Sequence, residues 1–485
     1  MLEVALRVVR SWLGIREASL DRAGSSVRRL WIFIDLARTN LAGMLADGVF
    51  TQGLDPLDDK DYRSWLAEHG ARPATIDSAL IRGLYDFVFA EVAGRQNLGA
   101  GAAIRLSLRT GFAYQGAIMY KMHAGMGDVV FAPLYEYLSR RGVKFQFFHR
   151  VRKLGLSADK RNVESIELGI QATPTTGNYD PLVLVRGLPC WPNCPRYEQL
   201  AEGDELKSGN IDLESCWSGW PDVASSTLRR GSGFDRVILG IALGGLPAIC
   251  ADLVSFIPRW RELFGKLPTI ATGAAQLWWN ASLPDLGWRL PSPVLTGYEP
   301  PFDTWADMSQ TIAAEDWAAV QRPLNVAYLC GVLPDPDILP PCESASDFPM
   351  VEHAAIRELL LRWLREKGPK LWPGLVDPGT GDLRWDWLHA ASGSNGEARL
   401  DDQFWRGNFD PSGRYVQSPA GSLRYRLRPS ESGVDNLFLA GDWTRNGINV
   451  GCVEAAVISG MRAARDLLGN SAPLPGESDE STIEI

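Results

Sequence analysis

The stretch Asn436–Leu468, NLFLAGDWTRNGINVGCVEAAVISGMRAARDLL, decides the fold. Asn436-Leu-Phe-Leu-Ala440 is a short apolar run and reads as a buried strand. Gly441 to Val450 is then a turn, and Gly451 to Leu468 a helix. The first-turn N–H groups of such a helix lack internal partners and carry the positive end of its dipole. They suit an anion or an electron-rich ring carbonyl. Gly451 has no side chain, so a ligand can approach the backbone there. Ala455, Ala456, Ser459, Gly460, Ala463 and Ala464 are small and allow close packing on a sheet. Asp442 falls at the carboxyl end of the strand, where α/β sheets place ligands. Its carboxylate can accept hydrogen bonds from ribose-like hydroxyls.

Upstream, Phe234-Asp-Arg-Val-Ile-Leu-Gly-Ile241 is apolar enough for a central parallel strand. Asp128 can cap a helix over Val129–Arg141, which Gly142 stops. Val143–Phe148 reads as a strand, and Val151–Leu156 with Val163–Gly169 as a hairpin. Residues 1–120 read mainly as helix, with Leu2, Leu6, Val9, Trp12 and Leu13 at helical spacing. Residues 170–233 are rich in Pro, Gly and Ser and read as a loop-rich insertion. A helix is expected from Glu352 to Lys367, and the acidic tail 471–485 is expected to be disordered.

Composition narrows the function classes. The 485 residues are 45% hydrophobic and 22% charged, which excludes a disordered chain or a coiled coil. The formal charge of −9 gives no basic excess for nucleic acid or anionic lipid. The longest apolar run, Val237 to Ala251, is shorter than the ~20 residues a membrane helix needs, and Gly and Pro interrupt it. Seven scattered cysteines point to a reduced, cytoplasmic setting. Five scattered histidines show no metal spacing, so no metal site is assigned. The tryptophans, among them Trp278, Trp279, Trp288, Trp305, Trp317, Trp385 and Trp387, fit either a packed core or an aromatic-lined cleft.

The 436–468 stretch resembles the C-terminal FAD-binding motif of the flavin amine oxidase and phytoene desaturase superfamily. The match runs through N-L-F-x-A-G-D, the glycine at 451 and Glu454-Ala455-Ala456. Met122–Val151 and Asp235–Leu246 resemble two further segments of that family, in the same order. The resemblance implies an α/β, Rossmann-like (GR2-type) FAD-binding domain built from discontinuous segments, 121–169, 234–254 and 426–470. A helical and α+β substrate domain would take 1–120 and 255–425. It implies FAD as cofactor, held by Ala440, Gly441, Asp442, Trp443, Thr444, Gly451, Cys452 and Val453. Val151 would meet the adenine, and Trp443 would line the flavin ring pocket. The implied reaction is oxidation of a C–N or C–C bond by hydride transfer to flavin, on a small amine or an apolar polyene. It assigns no acid or base.

The chain departs from the family in one respect. The family's dinucleotide unit carries G-x-G-x-x-G. The Gly-x-Gly pairs here, at 99/101, 125/127, 231/233 and 379/381, are followed at the third position by Ile104, Val130, Arg236 and Arg384. The expectation is that this unit is missing: cut off, carried on a separate partner chain, or lost. A non-catalytic fragment or subunit that needs such a partner is therefore the alternative to an autonomous enzyme.

Overall fold

A computed structural model describes residues 25–477 apart from 93, 115, 118, 337, 338, 343 and 346. The helical spacing at residues 2–13 lies outside the described residues, as does the tail beyond 477.

The first part is helical: α1 (Ser25–Ala46), α2 (Tyr62–Glu68), α3 (Ala79–Phe87) and α4 (Ala100–Leu108). Asp61 caps α2 by accepting from the N–H groups of Arg63 and Ser64, and Ser78 caps α3 through Ile81 N–H. Tyr62, Trp65, Leu66 and Tyr85 are buried between these helices. The same core takes in Ile448, Val450, Ala455 and Ile458, so the helical part closes over one face of the C-terminal motif.

Helix α5 (Ala132–Arg140) follows. Val143–Phe148 forms no strand. Its Phe145 and Phe147 pack instead around Tyr135 and Trp191, with Trp191 edge-on to Tyr135 at 5.5 Å. Aromatic packing overrides the strand preference of the run. Strands β1 (His149–Leu156) and β2 (Val163–Ile170) pair antiparallel, and β3 (Ala224–Arg229) joins β2. The segment 170–233 is thus more ordered than its composition predicts. It also holds a small hairpin, Val183–Val185 with Leu188–Cys190, and a short helix, Gly203–Ser208.

Strand β4 (Val237–Leu239) leads into α6 (Pro258–Lys266) and β5 (Thr269–Ile270). Next come β6 (Thr272–Trp279), β7 (Val294–Leu295), β8 (Thr304–Asp307), β9 (Asn325–Val332), α7 (Phe348–Glu366), β10 (Phe404–Gly407) and β11 (Tyr415–Val416). Strands β7-β8-β9-β6-β10 form one antiparallel sheet, and α7 packs on it. Trp279, Trp305, Trp363 and Trp372 are buried there and meet edge to face. Of the two readings of the tryptophans, packing in a core describes these.

Strand β12 (Leu437–Leu439) pairs parallel to β4, and α8 (Val453–Leu467) follows the turn. The strand, turn and helix read from 436–468 are all present. Cys452 is the N-cap, its Sγ accepting from Ala455 N–H. Within the tail, Glu477 is held by Arg462 at 2.7 Å and by Arg465 at 2.6 Å. Residues 471–477 therefore fold back on α8 rather than trailing away. The cysteines also differ from expectation. Cys216 and Cys342, 126 residues apart, are disulfide-bonded, and the other five are free. No helix among the described residues is long and apolar enough to cross a membrane.

Candidate functional site

The turn after β12 is held by its own polar side chains. Asn446 Oδ1 accepts from the N–H groups of Ile448 and Asn449, both at 3.0 Å. Asn449 Oδ1 accepts from Asn446 N–H at 3.1 Å and Gly447 N–H at 3.2 Å. Asn449 adopts φ 59°, a left-handed conformation that asparagine tolerates. Thr444 Oγ1 donates to Gly441 O, and Gly441 N–H to Ser459 Oγ. The sequence N-G-I-N thus builds a rigid loop that presents Gly441 and Asp442 at the end of β12.

Arg426 is the hub beneath this loop. It is 1% exposed. Its guanidinium donates to Asp442 O at 2.7 Å, Ser418 Oγ at 2.9 Å and Gln417 O at 3.1 Å, and its buried Nε has no partner among the described residues. Ser418 Oγ in turn donates to Asn449 O at 2.8 Å. Burial pulls the Arg426 guanidinium below its ordinary range, while the charges of Asp442 and Asp58 act the other way. Burial raises the Asp442 carboxyl above the usual carboxylate range, and Arg426 opposes that rise. Asp58 is pushed up to about 6, again chiefly by burial, against the Leu423 N–H it accepts and the charge of Arg426. Tyr415 and Cys452 are both raised by burial and both feel Asp442. Arg426, Asp58, Gln417, Ser418, Asn446 and Asn449 were not singled out from the sequence. An arginine just upstream of an apolar strand looks like a surface residue until the fold buries it.

The residues expected to hold cofactor fall into two groups. Ala440, Gly441, Asp442, Gly451, Cys452 and Val453 gather around the end of β12 and the start of α8. Asp442 is half-buried, and no side-chain donor is bonded to its carboxylate among the described residues. Trp443 and Thr444 are fully buried. Trp443 donates to Ile241 O at 3.1 Å and packs against Trp260, so its ring belongs to the core and lines no flavin pocket. Its apolar ring is drawn inward by the β4 and α6 side chains. Val151 is on β1, partly buried against the same core. Gly451 is also used differently from expectation. A Cβ there would lie 2.5 Å from the Tyr415 ring, whose hydroxyl donates to Gly451 O at 2.6 Å. The glycine makes room for Tyr415.

A cavity of about 920 Å³ adjoins this cluster, with Glu91, Pro268, Ile270, Pro301, Leu333 and Gln417 on its wall. Ile270 pairs with Tyr415 across β5 and β11, which ties the cavity to the Tyr415–Gly451 contact. Gln417 is shared between the cavity wall and the Arg426 hub. Among the described residues no tryptophan lines this cavity.

The site fits part of FAD. An acceptor-only carboxylate at a strand end, unclaimed by side-chain donors, fits the hydroxyl-bearing part of that cofactor. The diphosphate has no matching cradle in the turn after β4. A Cβ on Gly244 would lie 2.1 Å from Pro411 O, so the Gly244-Gly245 turn packs against the chain.

Residues 395–468 match the model of the family described as flavin containing amine oxidoreductase. That segment is similar to flavin containing amine oxidoreductases, a family whose cofactor is FAD. No curated relative matches the sequence. Among solved structures, an oxidoreductase from Methanosarcina mazei shares 10% identity at a TM-score of 0.47, over 93% of this chain and 75% of that one. Cyclohexylamine oxidase from Brevibacterium oxydans shares 12% at a TM-score of 0.37, over 89% and 73%. At these scores neither bears on function, which rests on the 395–468 segment.

Proposed function

We propose that the protein is an FAD-dependent oxidoreductase of the amine oxidase and desaturase type, acting on a C–N or C–C bond of a small molecule. The observation that carries this reading is Asp442, a carboxylate at the end of a parallel strand inside the matched segment. When bound, FAD supplies the hydride acceptor. The chain's residues bind and orient. Asp442 would accept from cofactor hydroxyls, with Gly441 and Val453 beside it. Arg426 and the Asn446–Asn449 loop hold that carboxylate's backbone in place. The 920 Å³ cavity would take substrate. Glu91 has no ion pair among the described residues, and Asp86 and Asp303 lie close enough for each to feel its charge or the other's. Glu91 gives a cationic amine one carboxylate on the cavity wall, and Arg82 offsets the charges of Asp86 and Asp303, which do not line it.

A second reading keeps the same site but makes it half of one: a subunit that needs a partner chain supplying the G-x-G-x-x-G unit. The filled turn at Gly244 favours it. A cytoplasmic setting goes with the five free cysteines, while the Cys216–Cys342 disulfide argues the other way.

The visible spectrum of the purified chain, before and after adding FAD, tests the first reading. Flavin bands that stay with the protein support it; a colourless chain that takes up no FAD refutes it as an autonomous flavoenzyme. Asp442→Ala is expected to weaken FAD retention about tenfold or more, the loss of a charge-assisted hydrogen bond. Unchanged affinity would remove the assignment of Asp442.

A further inference from the structure

Residues 170–233 hold none of the groups assigned above to FAD, yet long insertions of this kind are usually functional. This one is pinned to the body. Cys216 is disulfide-bonded to Cys342, and its N–H donates to Asp410 Oδ2 at 2.7 Å. Trp217 Nε1 donates to Pro340 O at 3.0 Å, and Trp220 Nε1 to Gln171 O at 2.8 Å. Between the insertion and the wall made by β10 and α7 lies a cleft of about 690 Å³. An adjoining cavity of about 290 Å³ shares Asp212, Glu214, His353 and Arg406 with it. Among the described residues, neither has a lining side chain in common with the 920 Å³ cavity. The cleft has the size of a small-molecule site.

Its walls carry flat rings. Phe147 and Phe148 come from the stretch before β1, Tyr179, Trp191 and Tyr197 from the insertion, and Phe404 from β10. Tyr179 stands edge-on to Phe147 at 5.4 Å and to Phe148 at 4.8 Å. Alternation along β10 puts Arg406 on the same side as Phe404, which is 41% exposed, and turns Trp405 into the core. The polar groups carry both signs. The Arg406 guanidinium has no ion pair or hydrogen bond among the described residues. Asp212 Oδ1 accepts from Glu214 N–H at 2.9 Å, and the Glu214 carboxylate itself is unclaimed among the described residues. Burial, Cys194 and Asp212, in that order, raise the Tyr197 phenol, which puts the Asp212 charge near that ring. Gln171 is 8% exposed. Its Nε2 donates to Leu213 O at 2.7 Å, and its Oε1 has no partner among the described residues.

These groups narrow the ligand. A cation gains Asp212 and Glu214 but meets Arg406, and an anion gains Arg406 but meets the two carboxylates. A carboxylate only accepts, a guanidinium only donates, and a hydroxyl does both. A neutral ring bearing several hydroxyls therefore satisfies all three side chains at once. Its C–H faces suit the aromatic walls, where many weak contacts add up. We propose that the cleft between the 170–233 insertion and β10 binds a neutral sugar, as a saccharide or the sugar part of a glycoside. Hydroxyls of the ring bond to Asp212, Glu214, Gln171 and Arg406, and its apolar face lies against Phe404. The assignment goes beyond the flavin reading and does not depend on it.

Titration calorimetry and saturation-transfer NMR on the 485-residue chain test this with cellobiose, lactose, chitobiose and mannobiose. Tryptamine is the cationic aromatic probe, and glucose 6-phosphate the anionic sugar. Saturable binding of at least one disaccharide is expected, tighter than that of either charged probe. Asp212→Asn and Arg406→Gln each remove a charge-assisted hydrogen bond and should weaken that sugar about tenfold. Both side chains are exposed, so the fold should survive, and circular dichroism checks it. Phe404→Ala removes the exposed ring and should weaken binding to a similar degree. Val320→Asp, 96% exposed and on neither wall, should leave binding unchanged. Failure of all four disaccharides to bind saturably would overturn the proposal. So would tighter binding of tryptamine or glucose 6-phosphate, or sugar binding indifferent to Asp212→Asn or to Arg406→Gln. Flavin uptake is read separately by absorbance, so loss of the sugar site leaves the flavin reading standing, and the converse holds.

Discussion

Replacing Arg426 by Gln tests the idea that one buried guanidinium holds the Asp442 turn. In the native fold its donors satisfy Asp442 O, Ser418 Oγ and Gln417 O at 2.7, 2.9 and 3.1 Å. Its charge also faces two carboxylates, the half-buried Asp442 and the buried Asp58. Hydrogen bonds to charged groups are worth ~1.5–3 kcal/mol each, so a simple sum would be large. Gln can replace one of them, and deletion energies in one network do not add. Removing the guanidinium leaves buried acceptors unpaired and two nearby carboxylates without their cation, and a loss of ~3–5 kcal/mol is expected for Arg426→Gln. Arg426→Lys keeps the charge but lacks the planar fork, so it should recover about half of that loss. Urea unfolding followed by far-ultraviolet circular dichroism measures both. With the cation gone, the Asp58 carboxyl should titrate above its native value of about 6. A loss below ~1 kcal/mol for Arg426→Gln, the range of exposed pairs, would refute the hub role.

Other outcomes follow from the same geometry. Asp58 is raised from 3.8 to about 6 in the fold, so the folded chain binds its proton more tightly than the unfolded one. Its contribution is fully present below pH 3.8, falls as pH rises to about 6, and is flat above that. Asp58→Asn should remove this fall, worth ~3 kcal/mol from the size of the shift, when stability is measured across that window. An identical pH dependence in wild type and variant would show that Asp58 titrates normally. Gly451→Ala drives a methyl into the Tyr415 ring and should cost ~1–3 kcal/mol by overpacking, read from thermal melts. A neutral result would mean that Tyr415 moves freely. Reducing the Cys216–Cys342 bond should lower stability by up to ~5 kcal/mol in the chain-entropy account, given the 126-residue separation. A melting curve unchanged by reductant would show that the bond contributes little.

The β12–turn–α8 unit was legible because each of its levels agrees. The apolar run, the glycine and the small-residue helix all specify one local structure. The β1–β2 hairpin and α7 were legible for the same reason. Val143–Phe148 was not, because a run of aromatics has strand preference on its own and becomes an aromatic cluster once Trp191 arrives from the segment beyond β2. Trp443 and Gly451 show a deeper limit. Both sit at positions where the motif predicts contact with cofactor, yet one is used by the core and the other by Tyr415. A linear motif gives the residue type that a position tolerates, not which of two neighbours requires it. Arg426 is the converse case. Nothing in the sequence near it marks a site, because its role depends on acceptors contributed by Gln417, Ser418 and Asp442, which only the folded turn brings to one place.

The charge pattern of the site argues against the turn being an ordinary surface loop. Burying Asp58 and Arg426 and half-burying Asp442 takes three charged groups largely out of water, and such clusters are weak sources of stability. Packed apolar residues would hold the same backbone at less cost. What the polar solution provides is a carboxylate fixed in position with its accepting atoms unclaimed by side-chain donors. A surface turn has no use for that arrangement, whereas a ligand bearing several hydroxyls does. The exposed valines of α8 extend the same logic. A rigid polar site with two exposed valines early in the following helix is a combination that neither stability nor solubility favours, and binding accounts for both.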